Sequence, residues 1–492
     1  MDLPVVIVGG GLGGLSAAIH LAAAGRRVTL LEQNERVGGK LNLIEAGGFR
    51  FDTGPSLLTM PWVLGAVLER AGARLEDELE LVPLDPACRY LWPDGTRFDA
   101  WHTLPRLLAE IERLEPADVA GFLRFMAYGR RIYDAAAEPF LLTPFTGLRD
   151  MLRPRLLSDS LAIDPLRTVD HAVRAFFRSP YLRQLFNRYA TYTGSSPYRA
   201  PATFNMIPYV EFSQGAYHVR GGMYRIAAAL ERAARRLGVE VRTCAPVTEI
   251  VVRDGRVRGV RLAGGELLGA SAVIANADPR YVYGRLVPAA QRVARRLERL
   301  ELSYSGFALM LGVDRAYPEL AHHNIFFARD YRQEFAAIVD RRVPYPDPTI
   351  YVCAPSVTDA QLAPPGMLNL FVLVNAPSSG RVSWERERQA YRDLIVRKLE
   401  RMGLHGLERH IVVEHILTPA DIEERYNAPG GAIYGLASNG PLTAFLRPAQ
   451  RDPHIRGLYF AGGGTHPGGG IPLVLLSGRA AAHHALADDS RK

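Results

Sequence analysis

The first forty residues constrain the fold more than any other stretch. A run of β-formers, Val5-Val6-Ile7-Val8, leads into Gly9-Gly10-Gly11-Leu12-Gly13-Gly14, and an apolar helical segment, Leu15 to Ala24, follows. A second β-rich run, Arg27-Val28-Thr29-Leu30-Leu31, ends on the acid Glu32. In this G-x-G-x-x-G pattern Gly9 permits a tight turn, Gly11 lets backbone approach a pyrophosphate, and Gly14 lets the helix pack on the strand. The helix start offers unpaired N–H groups and partial positive charge to phosphates. Glu32 stands where a carboxylate can accept hydrogen bonds from a ribose diol. Strand, glycines, helix, second strand and acid in register predict a dinucleotide-binding βαβ unit.

The next segments favour FAD over NAD. They read Arg36-Val37-Gly38-Gly39-Lys40 and Phe51-Asp52-Thr53-Gly54-Pro55-Ser56. A glycine pair just past the second strand lets the chain run beside a dinucleotide, and Lys40 can balance phosphate charge. Gly38, Gly39, Lys40, Pro55 and Ser56 are therefore candidate cofactor contacts. No second G-x-G-x-x-G follows a later strand, so electrons are expected to leave for an external acceptor, oxygen or a quinone. Cys88, Cys244 and Cys353 are far apart and match no metal or disulfide spacing. They suit a reducing interior, and the absence of C-x-x-C argues against a disulfide reductase.

Near the C-terminus the strand-like Gly457-Leu458-Tyr459-Phe460-Ala461 runs into Gly462-Gly463-Gly464-Thr465-His466-Pro467-Gly468-Gly469-Gly470-Ile471-Pro472. Such a loop lets backbone lie flat on a planar ligand, and a helix starting at Ile471-Pro472 aims its positive end there. For a flavin, preorganised dipoles stabilise the negative charge of the reduced ring.

Between these ends, Val239 to Arg242, Val247 to Val252, Val257 to Leu262 and Ala272 to Asn276 read as strands, with Asp254-Gly255 as a type I′ turn. Arg89 to about Gln214 is rich in helical pattern and proline. Tyr304 to about Val413 alternates strand-like runs with loops, as an antiparallel sheet over a pocket would. The predicted class is α/β, a Rossmann-type FAD-binding domain interwoven with a mixed-sheet and helical substrate domain. Residues 1–85, 215–300 and 430–492 are assigned to the first, and 86–214 and 301–429 to the second.

The net charge of +8 is uneven. Phe122 to Arg199 carries twelve arginines against six acids. Phe122, Phe125, Tyr128, Phe140, Phe145, Phe176, Phe177, Tyr181, Phe186, Tyr189 and Tyr192 are interleaved with them. Without a nucleic-acid module this pattern fits a solvated helical face or a membrane surface. No run of about 18 apolar residues spans a bilayer, and the first strand starts by Leu3, which leaves no room for a signal peptide. The expected location is cytoplasmic, peripheral at the inner face of the cell membrane.

Together these residues resemble the bacterial-type carotenoid (phytoene) desaturase family, within the amine-oxidase-like FAD flavoproteins. The matching pieces are the N-terminal fingerprint, Gly38-Gly39-Lys40, Phe51 to Pro61, Glu319 to Phe327, Asp347 to Thr358 and Gly463 to Arg479. They cover nearly the whole chain. The resemblance implies that Glu32, Lys40, Ser56 and Val247 lie on FAD, with the loop Gly463 to Gly470 (Gly463, Gly464, Thr465 and Gly469 among it) and Val474. It implies removal of hydrogen from an acyclic carotenoid such as phytoene or a later intermediate. The ending Gly468 to Gly478 looks closer to enzymes acting on already-desaturated chains, the hydroxycarotenoid 3,4-desaturases and acyclic-carotenoid oxygenases.

A carotenoid has no acidic proton, so hydride transfer to flavin must come first and proton loss second. The protein then needs mainly an apolar tunnel that holds the chain and excludes water. His466, inside the flavin loop, is the one catalytic candidate. Adjacent His322 and His323 are not expected to share a face, and Asp52 and Arg50 are read as ordering their strand. Other classes remain open: a soluble amine oxidase, a non-catalytic lipid carrier, or a non-redox isomerase using reduced FAD.

Overall fold

The computed structural model describes residues 3–143, 162–378, 382–440 and 447–490. A five-stranded parallel sheet has the order Leu458–Phe460, Ala272–Ala275, Val5–Val8, Val28–Leu31, Glu240–Arg242. Val5–Val8, Val28–Leu31 and Ala272–Ala275 are buried throughout, as uninterrupted apolar runs in a parallel sheet must be. Helices Leu12–Ala23, Arg225–Arg236 and Ile471–Asp489 share one core with this sheet. The other face packs on a three-stranded meander, Val247–Arg253, Arg256–Leu262 and Leu267–Gly269. Its turn has φ +51° at Asp254 and +66° at Gly255, the two positive values a type I′ hairpin requires.

A seven-stranded sheet has the order Ile411–Leu417, Ser305–Val313, Leu368–Ala376, Ile350–Cys353, His323–Phe326, Cys88–Leu91, Arg97–Ala100. Along Ser305–Val313 the two faces alternate, with the period of two that a pleated strand imposes. Phe307, Leu309 and Leu311 pack with Trp384 and Ile395 of the covering helix Trp384–Arg401. Ala308 and Met310 pack with Phe49, Phe51 and Phe371.

One expectation is corrected here. Cys88–Leu91 and Arg97–Ala100 are strands inside the stretch read as helical. The two strands form an antiparallel hairpin with each other, and Cys88–Leu91 docks on His323–Phe326, a partner more than two hundred residues away that local periodicity does not show. The strands between Ser305 and Leu417 are antiparallel to one another, as expected, and Cys88–Leu91 beside His323–Phe326 adds the parallel pair that makes the sheet mixed.

The basic and aromatic stretch is also revised. Helices Leu104–Leu114, Asp118–Ala136, Val169–Arg174, Pro180–Asn187 and Met206–Gln214 form a helical lobe. Phe122, Phe125, Phe177, Phe186 and Tyr189 are its interior. Phe177 and Phe186 stack at 4.5 Å between centroids. These rings are core, so they are not available to a membrane. Phe145, Arg149, Arg153, Arg155 and the side chain of Phe140 lie outside the described residues. Among the described residues no helix is long and apolar enough to cross a membrane.

Candidate functional site

The carboxyl ends of the parallel strands open on one cavity, where α/β sheets bind ligands. Of the predicted cofactor contacts, Gly9, Gly11, Glu32, Gly38, Gly39, Lys40, Pro55, Ser56, Val247, Gly463, Gly464, Gly469 and Val474 line it. Residues from both ends of the chain therefore meet around one space.

The fingerprint glycines are required by distance. A Cβ on Gly14 would stand 2.2 Å from the carbonyl oxygen of Gly9, so helix and strand could not approach. One on Gly11 would meet Asn276 Nδ2 at 2.8 Å and fill the wall opposite Gly39. Gly9 takes φ +101°, and its carbonyl oxygen accepts from Asn276 Nδ2 at 3.0 Å. Asn276 ends the buried strand Ala272–Ala275; a polar residue in that place was the available signal, and sequence reasoning passed over it.

Glu32 is buried and held by three N–H groups. Its Oε2 accepts from Gly10 N at 2.8 Å, and its Oε1 accepts from Asn34 N and Nδ2, both at 2.9 Å. Lys40 lies on the wall, but its ammonium donates to the carbonyls of Ile433 at 2.8 Å and Ala432 at 3.1 Å. Burial pulls its pKa down to about 8, against the opposing pull of Asp278. Asp278 is pushed up by burial, with its N-cap bond to Arg280 N and the charges of Lys40, Arg280 and Arg447 working the other way.

The glycine loop is braced from behind. Arg447 donates from Nη1 to Tyr434 O at 2.8 Å and Gly463 O at 2.9 Å, and from Nη2 to Leu436 O at 2.8 Å. Thr465 does not line the cavity: its Oγ1 meets Ser477 Oγ at 2.9 Å and donates to Gly462 O at 3.0 Å, inside the loop. His466 is likewise buried away from the wall, its carbonyl accepting from Gln450 Nε2 at 2.6 Å. Gly14 serves helix packing and has no place on the wall. Gly14 thus packs the helix as its place in the fingerprint predicts, while Thr465 and His466 sit behind the cavity lining.

Asp52 caps the helix Arg225–Arg236 from outside, accepting from Met223 N at 2.8 Å and Tyr224 N at 2.9 Å. Burial pushes it up to about 6. Arg50 pairs with Glu45 at 3.3 Å.

The histidine pair departs from expectation. His323 opens the strand while His322 sits in the bend before it, so the two rings converge, with centroids 4.5 Å apart. His323 Nδ1 meets Tyr351 Oη at 2.8 Å, and Tyr351 Oη meets Ser56 Oγ at 2.5 Å. Ser56, His323 and Tyr351 all line the cavity. Burial pulls His323 down to about 3, so its ring stays neutral. Among the described residues, His322, His323 and Cys353 are the group whose donor atoms, within 4.8 Å of one another, are placed to hold a metal ion.

The opposite wall is apolar, with Ala308, Ile325, Phe371, Leu373, Leu417 and Ile422. Glycines that a Cβ would block, a buried acid held for a diol, and an adjoining apolar space fit FAD with a hydrophobic partner.

The flavin-containing amine oxidoreductase family matches residues 12–486. The chain belongs to this family. Two relatives are similar over nearly their full lengths. One is 4,4'-diapolycopene oxygenase of Methylomonas sp, 38% identical over 98% of both chains. The other is zeta-carotene-forming phytoene desaturase of Myxococcus xanthus, 38% identical over 96% of this chain and 92% of that one. Among solved structures, putrescine oxidase bound to putrescine superposes with a TM-score of 0.67 over 99% of both chains at 16% identity, a likeness of fold. As a member of this family the protein is an FAD-dependent oxidoreductase.

Proposed function

We propose that this oxidoreductase removes hydrogen from an acyclic carotenoid, such as phytoene or a later acyclic intermediate, in carotenoid biosynthesis. The carrying observation is the continuity of the dinucleotide cradle with the wall of Ala308, Ile325, Phe371 and Leu373. The names of the relatives support it. Bound FAD supplies a two-electron hydride acceptor. The chain's own part is to orient, exclude water and manage charge. Gly463, Gly464 and Gly469 offer backbone on one side, and the first turn of helix Ile471–Asp489 brings its positive end to the cavity. The apolar wall holds the polyene and displaces water.

One dinucleotide fingerprint supports an external electron acceptor, oxygen or a quinone. The water-insoluble substrate supports peripheral attachment to the inner face of the cell membrane. The helix Asp118–Ala136 exposes Leu123, Arg124, Ala127, Arg130 and Arg131 along one face, where Asp134 pairs with Arg130 at 3.4 Å, and the net positive charge suits an anionic surface. A second reading, an acyclic-carotenoid oxygenase, is favoured by the polar side chains of Arg188, Tyr192 and Glu211, which line the same cavity.

The test is expression in cells making phytoene, lycopene or a hydroxylated carotene, with pigments read by absorbance and mass. Loss of two mass units per step with a red-shifted spectrum is expected. Gain of oxygen moves the assignment to the oxygenase, and unchanged mass with altered retention moves it to an isomerase. No change in any host, with FAD bound, overturns the carotenoid reading.

A further inference from the structure

A cavity shaped for a hydrocarbon holds one group that a hydrocarbon cannot satisfy. Arg188 lies on the cavity wall and is 7% exposed. Its guanidinium sits 4.8 Å from the ring centroid of Tyr189 and 5.2 Å from that of Tyr192. Its Nη2 donates to Tyr192 Oη at a long 3.4 Å, and its buried Nε has no hydrogen-bond partner. Behind it, Glu211 accepts from Tyr189 Oη at 2.7 Å and from Tyr192 Oη at 2.6 Å. Both carboxylate oxygens thus accept from tyrosines, and Arg188 lines the cavity with guanidinium donors left unfilled.

Guanidinium remains charged in proteins and carries five N–H donors. A buried donor without a partner is costly. A plain polyene entering this space would strip water from Arg188 and return no acceptor. A positive charge is also ill placed beside a hydrocarbon that becomes electron-deficient on losing hydride. Arg188 lines the cavity together with His323 and with Tyr434, whose ring packs where a Cβ on Gly469 would fall. The polar cluster therefore lies beside the glycine loop.

We propose that Arg188, oriented by Tyr192 and Glu211, is a specificity-determining residue that holds a neutral oxygen, a hydroxyl or carbonyl, on the polyene. This deepens the carotenoid reading and rests on it. Because Glu211 lines the same cavity, a carboxylate would meet an acidic side chain there, and an uncharged oxygen suits the cluster better. Sites built to hydrogen-bond an oxygen discriminate strongly against the analogue lacking it.

The experiment uses FAD-loaded protein with phosphatidylcholine vesicles carrying either an acyclic polyene hydrocarbon or the same polyene with a terminal aldehyde or alcohol. Binding is read by polyene absorbance, and flavin reduction is followed anaerobically. Wild type should prefer the oxygenated chain. In Arg188→Met the ratio of the two affinities should fall by about tenfold or more, with Arg188→Lys intermediate and Tyr192→Phe shifted the same way. Equal loss for both chains, or an unchanged ratio, overturns the proposal. A changed flavin spectrum or FAD affinity with an unchanged ratio also overturns it, by assigning Arg188 to the cofactor. If wild type binds neither polyene while holding FAD, the carotenoid reading itself fails and the proposal with it.

Discussion

A Cβ on Gly478 would stand 2.1 Å from the carbonyl oxygen of Gly13, across a sequence separation that spans almost the entire chain. That contact lets the C-terminal helix lie on the first helix, and Ser16 Oγ donates to Leu475 O at 2.7 Å beside it. It brings the glycine loop to the fingerprint. Gly478→Ala must push the helices apart, at a cost of about 2 kcal/mol, and should lower both the melting temperature and FAD retention. An alanine variant that melts and holds flavin as wild type does would show that the helix contact does not position the site.

Glu32→Gln replaces two accepting oxygens by one and sets an amide NH2 against Gly10 N–H or Asn34 N–H. Charge-assisted bonds of this kind contribute about 2 kcal/mol, so Kd for FAD should rise about 30-fold. Titration of apoprotein with FAD measures it, and an unchanged Kd would remove Glu32 from the cofactor site.

Arg447→Met strips three carbonyls, Tyr434 O, Leu436 O and Gly463 O, of a buried donor. A loss of about 3 kcal/mol in stability is expected, together with faster flavin release from the loosened loop. Flavin release unchanged despite lower stability would confine Arg447 to a folding role.

His20 provides a pH test. Burial pushes its imidazole down to about 4, only partly offset by its bond to Ser16 O at 2.8 Å, with Arg70 and Arg479 lowering it further. The unfolded chain takes the extra proton at about 6.5. Below that value unfolding binds protons, so the contribution of His20 is whole above pH 6.5 and is lost as pH falls toward 4. Between pH 7.5 and 5 the stability of wild type relative to His20→Gln should fall by about 2 kcal/mol. Parallel pH profiles for the two proteins would contradict this.

Membrane attachment through the exposed face of helix Asp118–Ala136 should depend on charge. Each basic residue near an anionic surface adds about 1 kcal/mol. Charge reversal at Arg124, Arg130 and Arg131 should abolish flotation with anionic liposomes at low salt while FAD stays bound. Flotation that survives both the reversal and high salt would move the contact elsewhere.

The nucleotide half was legible because its signals are local. Glycines at Gly9, Gly11 and Gly14, the β-runs around them and Glu32 each answer a constraint met within a few residues. The aromatics between Phe122 and Tyr189 were harder to read, since a ring can face solvent, lipid or core equally well from its sequence position. Packing against Phe177 and Phe186 decided for the core.

By itself the sequence determined the fold class, the dinucleotide site and the flavin loop, because backbone sterics demand glycine and apolar runs wherever strands and helices close on a ligand. Tertiary structure alone decided which polar groups share the cavity. Arg188, Tyr192 and Glu211 come from a short helical turn and a separate helix, Asn276 ends a strand from mid-chain, and Arg447 reaches back to Gly463. Their meeting depends on hydrogen bonds and charges acting over a few ångströms between residues that no local pattern relates.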